Sequence, residues 1–298
     1  MDTGHRIIFG NAQRMEMLAS SSVDLIVTSP PYPMIEMWDA TFAAMNQEIA
    51  KCLPDAPMRA FELMHAELDK VWDECFRVLK SGGFLCINIG EATRTVGNEF
   101  RLYNNSSRIV SHCTGLGMVN LPNILWRKQT NAPNKFMGSG MLPCGAYVTL
   151  EHEWILIFRK GGKRMYRTDK EKSTRRQSGY FWEERNCWFS DVWDIKGTKQ
   201  NIAGSGTRER NGSFPLDIPF RLINMYSQHE RLDRHLEFVR RHMEEGKLLK
   251  YENTFLGCKV MTSQETGMQL QELGSIDICR SDEINIHADY TNCFHQQS

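Results

Sequence analysis

Short apolar runs that alternate with helical segments constrain the fold of this chain more than any other feature. The predicted strands are residues 6–9 (RIIF), 23–28 (VDLIVT), 84–90 (FLCINIG), 118–128 (MVNLPNILWRK) and 153–158 (EWILIF). Apolar residues recur at helical spacing from Phe61 to Leu79, where Gly82-Gly83 closes the helix, and two more helices are predicted over 106–117 and 214–226. Strands that alternate with helices predict a parallel, doubly wound α/β sheet.

The composition limits the class of protein. A chain of 298 residues with 41% hydrophobic residues and zero formal net charge can bury a large core and has no global field for a polyanion. The nine cysteines include no C-x-x-C pair, which argues against zinc, and their odd number suits reduced thiols. No signal-peptide core or membrane-length apolar run is found, so the sequence predicts a cytoplasmic protein without a membrane partner.

A basic, aromatic segment follows the last predicted strand. Residues 159–210 contain fourteen Lys and Arg, seven Asp and Glu, and seven aromatic residues without clear periodicity. This pattern indicates an inserted lobe. The predicted domains are therefore a catalytic α/β half over 1–160, a lobe over 161–212, and a helix with a C-terminal tail over 213–298.

The strand VDLIVT runs directly into Ser29-Pro30-Pro31-Tyr32. Two prolines make a stiff, extended loop, and the carboxyl end of a strand is where open α/β sheets bind ligands. Ser29 and the Pro30 carbonyl offer hydrogen-bond acceptors, and Tyr32 offers a flat face. Together they could hold a planar ring by its exocyclic amine.

Such a loop suits methyl transfer to an amino group. Holding both amine hydrogens draws the nitrogen toward tetrahedral geometry and frees its lone pair, so positioning supplies the catalysis. A base in duplex DNA would have to be flipped out to reach the loop. The alternative is an ordinary surface turn, which the flanking hydroxyl and aromatic residue make less attractive.

The string I-V-T-S-P-P-Y at 26–32 resembles the catalytic motif of the amino-group DNA methyltransferases. Its serine is similar to that of the cytosine N4 enzymes, whereas adenine N6 enzymes more often carry Asp there. The segments LKSGGFLCINIG, NILWRK, EHEWILIFRKGGK and FPLDIPFRLINMYS follow in family order. This order, with the catalytic loop first and the cofactor segment late, resembles the circularly permuted β group.

The resemblance implies a Rossmann-like sheet, S-adenosylmethionine as cofactor, double-stranded DNA as partner and a restriction–modification context. Ser29, Pro30, Pro31 and Tyr32 would be catalytic. Phe214 and Pro215, at the start of the cofactor helix, would contact the cofactor. The lobe corresponds to the target-recognition region, and its candidate DNA-binding residues are Arg164, Arg175, Arg176 and Arg185.

One family element is absent from the sequence. After FPLDIPFRLINMYS the family has Asp-Pro-Phe-x-Gly-x-Gly, which lets the backbone approach the cofactor; here Gln228 and a predicted tail helix follow. Roughly forty residues, a strand–loop–helix–strand unit, are missing from the middle of the expected sheet. Gly204-Ser205-Gly206 and Gly138-Ser139-Gly140 precede the helix and do not replace the loop. We therefore expect open strand edges, and either a complementing subunit or a non-catalytic DNA-binding relative.

Other candidate sites are weaker. Pro143-Cys144 precedes Gly rather than the Gln of a cytosine C5 nucleophile motif, which indicates a loop cysteine. His152 between two glutamates alternates across a strand, so no metal site is predicted. Asn88 is either a satisfied core amide or a pocket residue, and Asp39 is either near the loop or a helix cap.

Overall fold

The computed structural model describes residues 6–8, 10–128, 137–139, 141–180, 182–197 and 214–228, together with four short strands of the tail. These residues fall into two compact units. The larger comprises His5–Met165 and Asp191–Ser227, and the smaller comprises Tyr166–Ser190 with the tail. The predicted tail helix and the Gly204 segment lie outside the described residues.

The elements follow the alternation expected from the sequence. The strands are β1 Val23–Thr28, β2 Leu79–Ile89, β3 Ala92–Val96, β4 Glu99–Tyr103, β5 Met118–Asn120, β6 Ile124–Arg127, β7 Met137–Gly138, β8 Ala146–Tyr147, β9 His152–Lys160, β10 Val192–Asp194, β11 Leu248–Thr254, β12 Gly257–Thr262, β13 Ile276–Ile278 and β14 Ile284–Ile286. The helices are α1 Asp39–Met45, α2 Gln47–Cys52, α3 Pro57–Val78, α4 Asn105–Gly115, α5 Asp169–Gln177, α6 Trp182–Trp188 and α7 Asp217–Tyr226.

The central sheet has six strands in the order β1-β2-β9-β6-β10, with β5 also paired to β9. β1 runs parallel to β2, and β10 runs parallel to β6. β9 is antiparallel to β2, β5 and β6, so the prediction of a wholly parallel sheet is wrong. Antiparallel neighbours need no crossover helix, which is why β6 and β9 can be joined without one.

The predicted strand over 118–128 is interrupted at Pro122. β5 and β6 both pair with β9, on either side of that residue. Proline cannot donate to a ladder. The side chain of Asn123 compensates, because its Oδ1 accepts the Ile157 amide at 3.1 Å.

The long helix α3 supplies much of the core. Phe61, Met64, Leu68 and Trp72 share one buried face at helical spacing, and Pro57 begins the helix where its missing N–H costs nothing. The helix ends at Val78, earlier than predicted. The Gly-Gly pair lies instead inside β2, where the β1 register shifts and Gly82 has a φ of +79°. A positive φ of this kind favours glycine.

The strand that carries the catalytic motif lies at the edge of the sheet. All six residues of β1 are half-buried, and within the described residues β1 pairs only with β2. The prediction of a first strand at RIIF is wrong for residues 6–8, where Ile7 and Ile8 are 82% and 40% exposed. No neighbouring strand is available to them among the described residues. Open edges were expected from the missing unit.

Helix α7 forms as predicted, beginning at Asp217. It is oriented by ring contacts at both ends of the helix. Tyr226 stacks on Phe84 of β2 at 4.5 Å, and the Arg221 guanidinium lies over Trp193 of β10 at 5.1 Å. The helix therefore packs on the same sheet that carries β1.

The smaller unit contains α5 and α6. Thr168 and Glu171 form a capping box that begins α5. Among the residues that the structure describes, no helix has the length and apolar character needed to span a membrane.

Candidate active site

The motif residues occupy the carboxyl end of β1. Thr28 pairs with Ile87 of β2, so Ser29 follows directly where the two parallel strands end. Pro30 is buried, and Ser29, Pro31 and Tyr32 are half-buried. The loop thus lies at the strand ends, where the sequence predicts it, and neither the hydroxyl nor the ring is wholly sealed in the interior.

Four polar side chains meet behind this loop. The Tyr32 hydroxyl donates to Glu153 Oε2 at 2.7 Å, and Ser29 Oγ lies 3.2 Å from the same hydroxyl. Asn88 Nδ2 donates to the Tyr32 oxygen at 2.7 Å and to Glu153 Oε2 at 2.8 Å. The Tyr32 ring is therefore fixed at its far end by a strand-borne carboxylate.

Glu153 is a buried charge with two kinds of partner. It lies on β9 opposite Trp126 of β6 and is only 7% exposed. Lys128, just beyond β6, forms an ion pair with its other oxygen, Oε1. Burial, and secondarily the Glu153 charge, raise the pKa of the Tyr32 phenol well above its usual value. Tyr32 consequently remains a neutral hydrogen-bond donor.

Asn105, at the start of α4, clamps the backbone around the loop. Its side chain is fully buried and donates to the Pro33 carbonyl at 3.2 Å and the Gly90 carbonyl at 2.9 Å. Its Oδ1 lies 3.0 Å from His65 Nε2. Burial lowers the pKa of His65 to about 3. A neutral imidazole must therefore carry its proton on Nε2 to satisfy Asn105.

Gly90 lies against the Tyr32 ring. A Cβ at this position would lie 3.0 Å from Tyr32 Cε2 and 3.2 Å from Glu153 Cγ. The end of β2 therefore needs a residue without a side chain, so that the ring and carboxylate can meet.

The two candidate cofactor residues precede α7. Pro215 is buried and Phe214 is half-buried, and the Pro215 carbonyl accepts from the Ile218 amide at 3.1 Å. Their role in cofactor binding stays a prediction.

The four candidate DNA-binding arginines do not share one environment. Arg164 belongs to the larger unit and pairs with Asp24 of β1 at 2.6 Å. In the smaller unit the guanidinium of Arg175 lies 4.8 Å over the Tyr166 ring, and that of Arg185 lies 4.6 Å over Phe189. Arg176 is exposed. The predicted lobe, 161–212, also includes β10, which the structure assigns to the sheet.

The sequence analysis did not identify Glu153 or Asn105 as site residues. An acidic residue inside the apolar run EWILIF was an available signal, because a buried strand charge needs a specific partner. Asn88, left open, is a hydrogen-bonded core amide that also contacts the motif. Asp39 begins α1 and forms a bidentate ion pair with Arg94 at 2.7 and 2.8 Å. Within the described ranges, no cluster of three metal-ligating side chains occurs.

The sheet order and the strand-end proline loop define a class of fold, the mixed α/β sheet of S-adenosylmethionine-dependent DNA methyltransferases. A solved structure of TTHA0409, a DNA modification methylase of Thermus thermophilus in complex with S-adenosyl-L-methionine, matches 74% of this chain and 73% of its own. The two share 27% sequence identity, with a TM-score of 0.54.

The sequence comparison narrows the class to a family. The DNA methylase family matches residues 23–232, and this chain belongs to it. Type II methyltransferase M.MthZI of Methanothermobacter thermautotrophicus is 52% identical over 230 residues, which are 76% of this chain and 65% of that protein. Type II methyltransferase M.MjaI of Methanocaldococcus jannaschii is 47% identical over 237 residues, covering 76% of this chain and 77% of that protein. The chain thus spans about two thirds of the M.MthZI length.

Proposed function

We propose that this chain transfers a methyl group to an exocyclic amine in double-stranded DNA, with the N4 amine of cytosine as the target. The observation that carries the proposal is the Ser-Pro-Pro-Tyr loop at the end of β1, anchored on Glu153 through Tyr32. S-adenosylmethionine is the methyl donor, as the TTHA0409 complex supports. Serine at position 29, which resembles the cytosine N4 motif, favours cytosine over adenine.

The residues act by holding the amine. Ser29 Oγ and the Pro30 carbonyl accept the two amine hydrogens, and the Tyr32 ring stacks on the flipped base. The nitrogen lone pair is then released from conjugation and directed to the methyl group. Because no covalent enzyme intermediate is needed, orientation supplies the rate enhancement. The loop's two prolines keep that orientation without an ordering cost at each turnover.

The described residues do not complete a site for the donor. The sequence has no Asp-Pro-Phe-x-Gly-x-Gly loop after α7, and within the described residues β1 pairs on one edge only. The amine side of the reaction is therefore well defined, whereas the cofactor cradle does not fit what α7 is followed by. The order of the segments, with the motif strand before α7, supports the inference that the fold is circularly permuted.

Product analysis tests the chemistry. The purified chain is incubated with S-adenosylmethionine and unmethylated DNA, and the digested nucleosides are separated by mass spectrometry. We expect N4-methylcytosine; N6-methyladenine would move the target to adenine. Ser29→Ala should abolish the product. Ser22→Ala, at the opposite end of β1, is the matched control and should retain it.

A second candidate function is DNA binding without catalysis. The absent glycine loop and the one-sided pairing of β1 favour it. Isothermal titration with S-adenosylmethionine separates the two candidates. Micromolar binding supports the methyltransferase, whereas millimolar or undetectable binding with intact DNA binding supports the second candidate. The comparisons give no support to the predicted complementing subunit, and the proposal does not include it.

The DNA partner is tested separately through salt. The basic lobe holds seven more positive than negative charges over 159–210. Neutralising one phosphate contact reduces the slope of log K against log salt by about 1. Arg176→Ala, which removes an exposed charge in α5, should lower the slope by about that amount. Lys51→Ala in α2, exposed and outside the lobe, is the control and should leave it unchanged.

A further inference from the structure

We propose that Glu153 is a positioning residue that fixes the donor direction of a hydrogen-bond chain and so leaves the Ser29 oxygen as an acceptor for amine hydrogens. This inference rests on the proposed function and deepens it. It explains why the site would accept an amine and reject a carbonyl in the same place.

The direction follows from counting hydrogens. A carboxylate has only acceptors, and a phenol has one hydrogen. Because Tyr32 and Glu153 Oε2 are 2.7 Å apart, the Tyr32 hydrogen is committed to Glu153. The 3.2 Å contact between Ser29 and Tyr32 must then be donated by Ser29.

The remaining partners agree with this direction. Asn88 Nδ2 donates to the Tyr32 oxygen at 2.7 Å, which fills the second acceptor position of the phenol. The raised pKa of the Tyr32 phenol keeps its hydrogen in place. Lys128 contacts the other oxygen of Glu153 and opposes the buried charge. Every hydrogen in the cluster therefore points toward the Glu153 carboxylate.

The consequence falls on the target base. With its own hydrogen directed to Tyr32, the Ser29 hydroxyl presents lone pairs to the site. An exocyclic amine can donate to them. A carbonyl at the same ring position, as in uracil, would face an acceptor and leave both oxygens without a hydrogen, which binding sites reject strongly. Glu153 thus contributes to specificity without touching the base.

A pair of isosteric substitutions tests the direction. Ser29→Asn keeps a donor for the Tyr32 oxygen, whereas Ser29→Asp offers only acceptors and a second negative charge. With Glu153 present, Ser29→Asp should lower the Tm by about 4 °C more than Ser29→Asn does, since one phenol hydrogen cannot serve two carboxylates. Combined with Glu153→Gln, which can donate to the phenol oxygen, the difference should disappear or reverse.

The thermal measurement needs neither cofactor nor activity, so it remains decisive if the proposed function fails. Equal Tm losses for Asp and Asn, whichever residue occupies position 153, would overturn the inference. In the methyl-transfer assay Glu153→Gln should lower kcat at least tenfold with the KM for DNA nearly unchanged. A Glu153→Gln variant of wild-type Tm and wild-type kcat would also overturn it. An inactive wild-type chain would overturn the proposed function instead.

Discussion

At the scale of single residues, the site depends on groups whose tolerance for change is small. Tyr32 is restrained by its hydroxyl and by Gly90, while the loop backbone is restrained by Asn105. Gly90 follows β2 and Asn105 begins α4, and neither is part of the Ser-Pro-Pro-Tyr string. The geometry of the motif is therefore set by its neighbours as much as by its own prolines.

Gly90→Ala should separate Tyr32 from Glu153. The added Cβ would lie 3.0 Å from Tyr32 Cε2, so the ring must shift. Overpacking of this kind costs about 1–3 kcal/mol. We expect that loss in urea unfolding together with a loss of methyl transfer. Gly115→Ala, where a Cβ meets nothing within 4 Å, is the control. Unchanged activity in Gly90→Ala would refute the close packing.

Asn105→Ala should loosen the loop from behind. It leaves the Pro33 and Gly90 carbonyls and the His65 N–H without their partner. Buried groups left unpaired cost about 1–3 kcal/mol each, and we expect roughly 3 kcal/mol in total because water will enter. Asn104→Ala removes only the α4 cap and should cost about 1 kcal/mol. Equal losses in the two variants would contradict a special role for Asn105.

At the scale of elements, β9 is the piece that connects the site to the core. It carries Glu153 at one end and Lys160 at the other. The Lys160 ammonium donates to the Phe76 and Leu79 carbonyls at 2.6 and 2.8 Å and so caps the end of α3. One strand thereby holds both the helix that fills the core and the carboxylate that holds Tyr32.

Lys160→Met should weaken the junction between α3 and β9. Met keeps the apolar stem but removes the charge from the helix C-terminus, so we expect a loss of about 1–2 kcal/mol in urea unfolding. Lys51→Met, an exposed lysine near the end of α2, should cost less than about 0.5 kcal/mol. A Lys160 loss no larger than that of Lys51 would show that the cap contributes little.

Sequence patterns predicted the elements well and their pairing less well. The α3 face was readable from Phe61 to Trp72 because helical spacing is local. The contact between Tyr32 and Glu153 was not, because 121 residues separate them and their meeting depends on strand order. The antiparallel direction of β9 and the exposure of Ile7 also depend on which strands are neighbours. Such facts are set by tertiary structure rather than by periodicity.

At the scale of the whole molecule, stability should depend on pH through His65. Its pKa is about 3 in the folded protein against an ordinary value of 6.5, because burial opposes its charge. As the pH falls below 6.5 the unfolded chain takes up the proton first, so stability is full above that pH and declines toward pH 3. The slope approaches about 1.4 kcal/mol per pH unit.

Urea unfolding of wild type and His65→Gln at about pH 7, 6 and 5 measures this contribution. The variant should lose the extra slope, since Gln keeps a donor for Asn105 without a titrating group. Glu74, whose pKa is lowered to about 2 from 4.5, chiefly by Arg77, acts only below that ordinary value and does not interfere. Parallel curves for the two proteins over this range would rule out the assignment.

The one-sided pairing of β1 has a practical consequence for anyone handling the protein. A strand made largely of Val, Leu, Ile and Thr with a free side is a template on which another chain can add its own backbone. Concentrated preparations should therefore turn cloudy faster than dilute ones. A lysine introduced at Val23, at the amino end of the strand and away from the loop, should keep them clear.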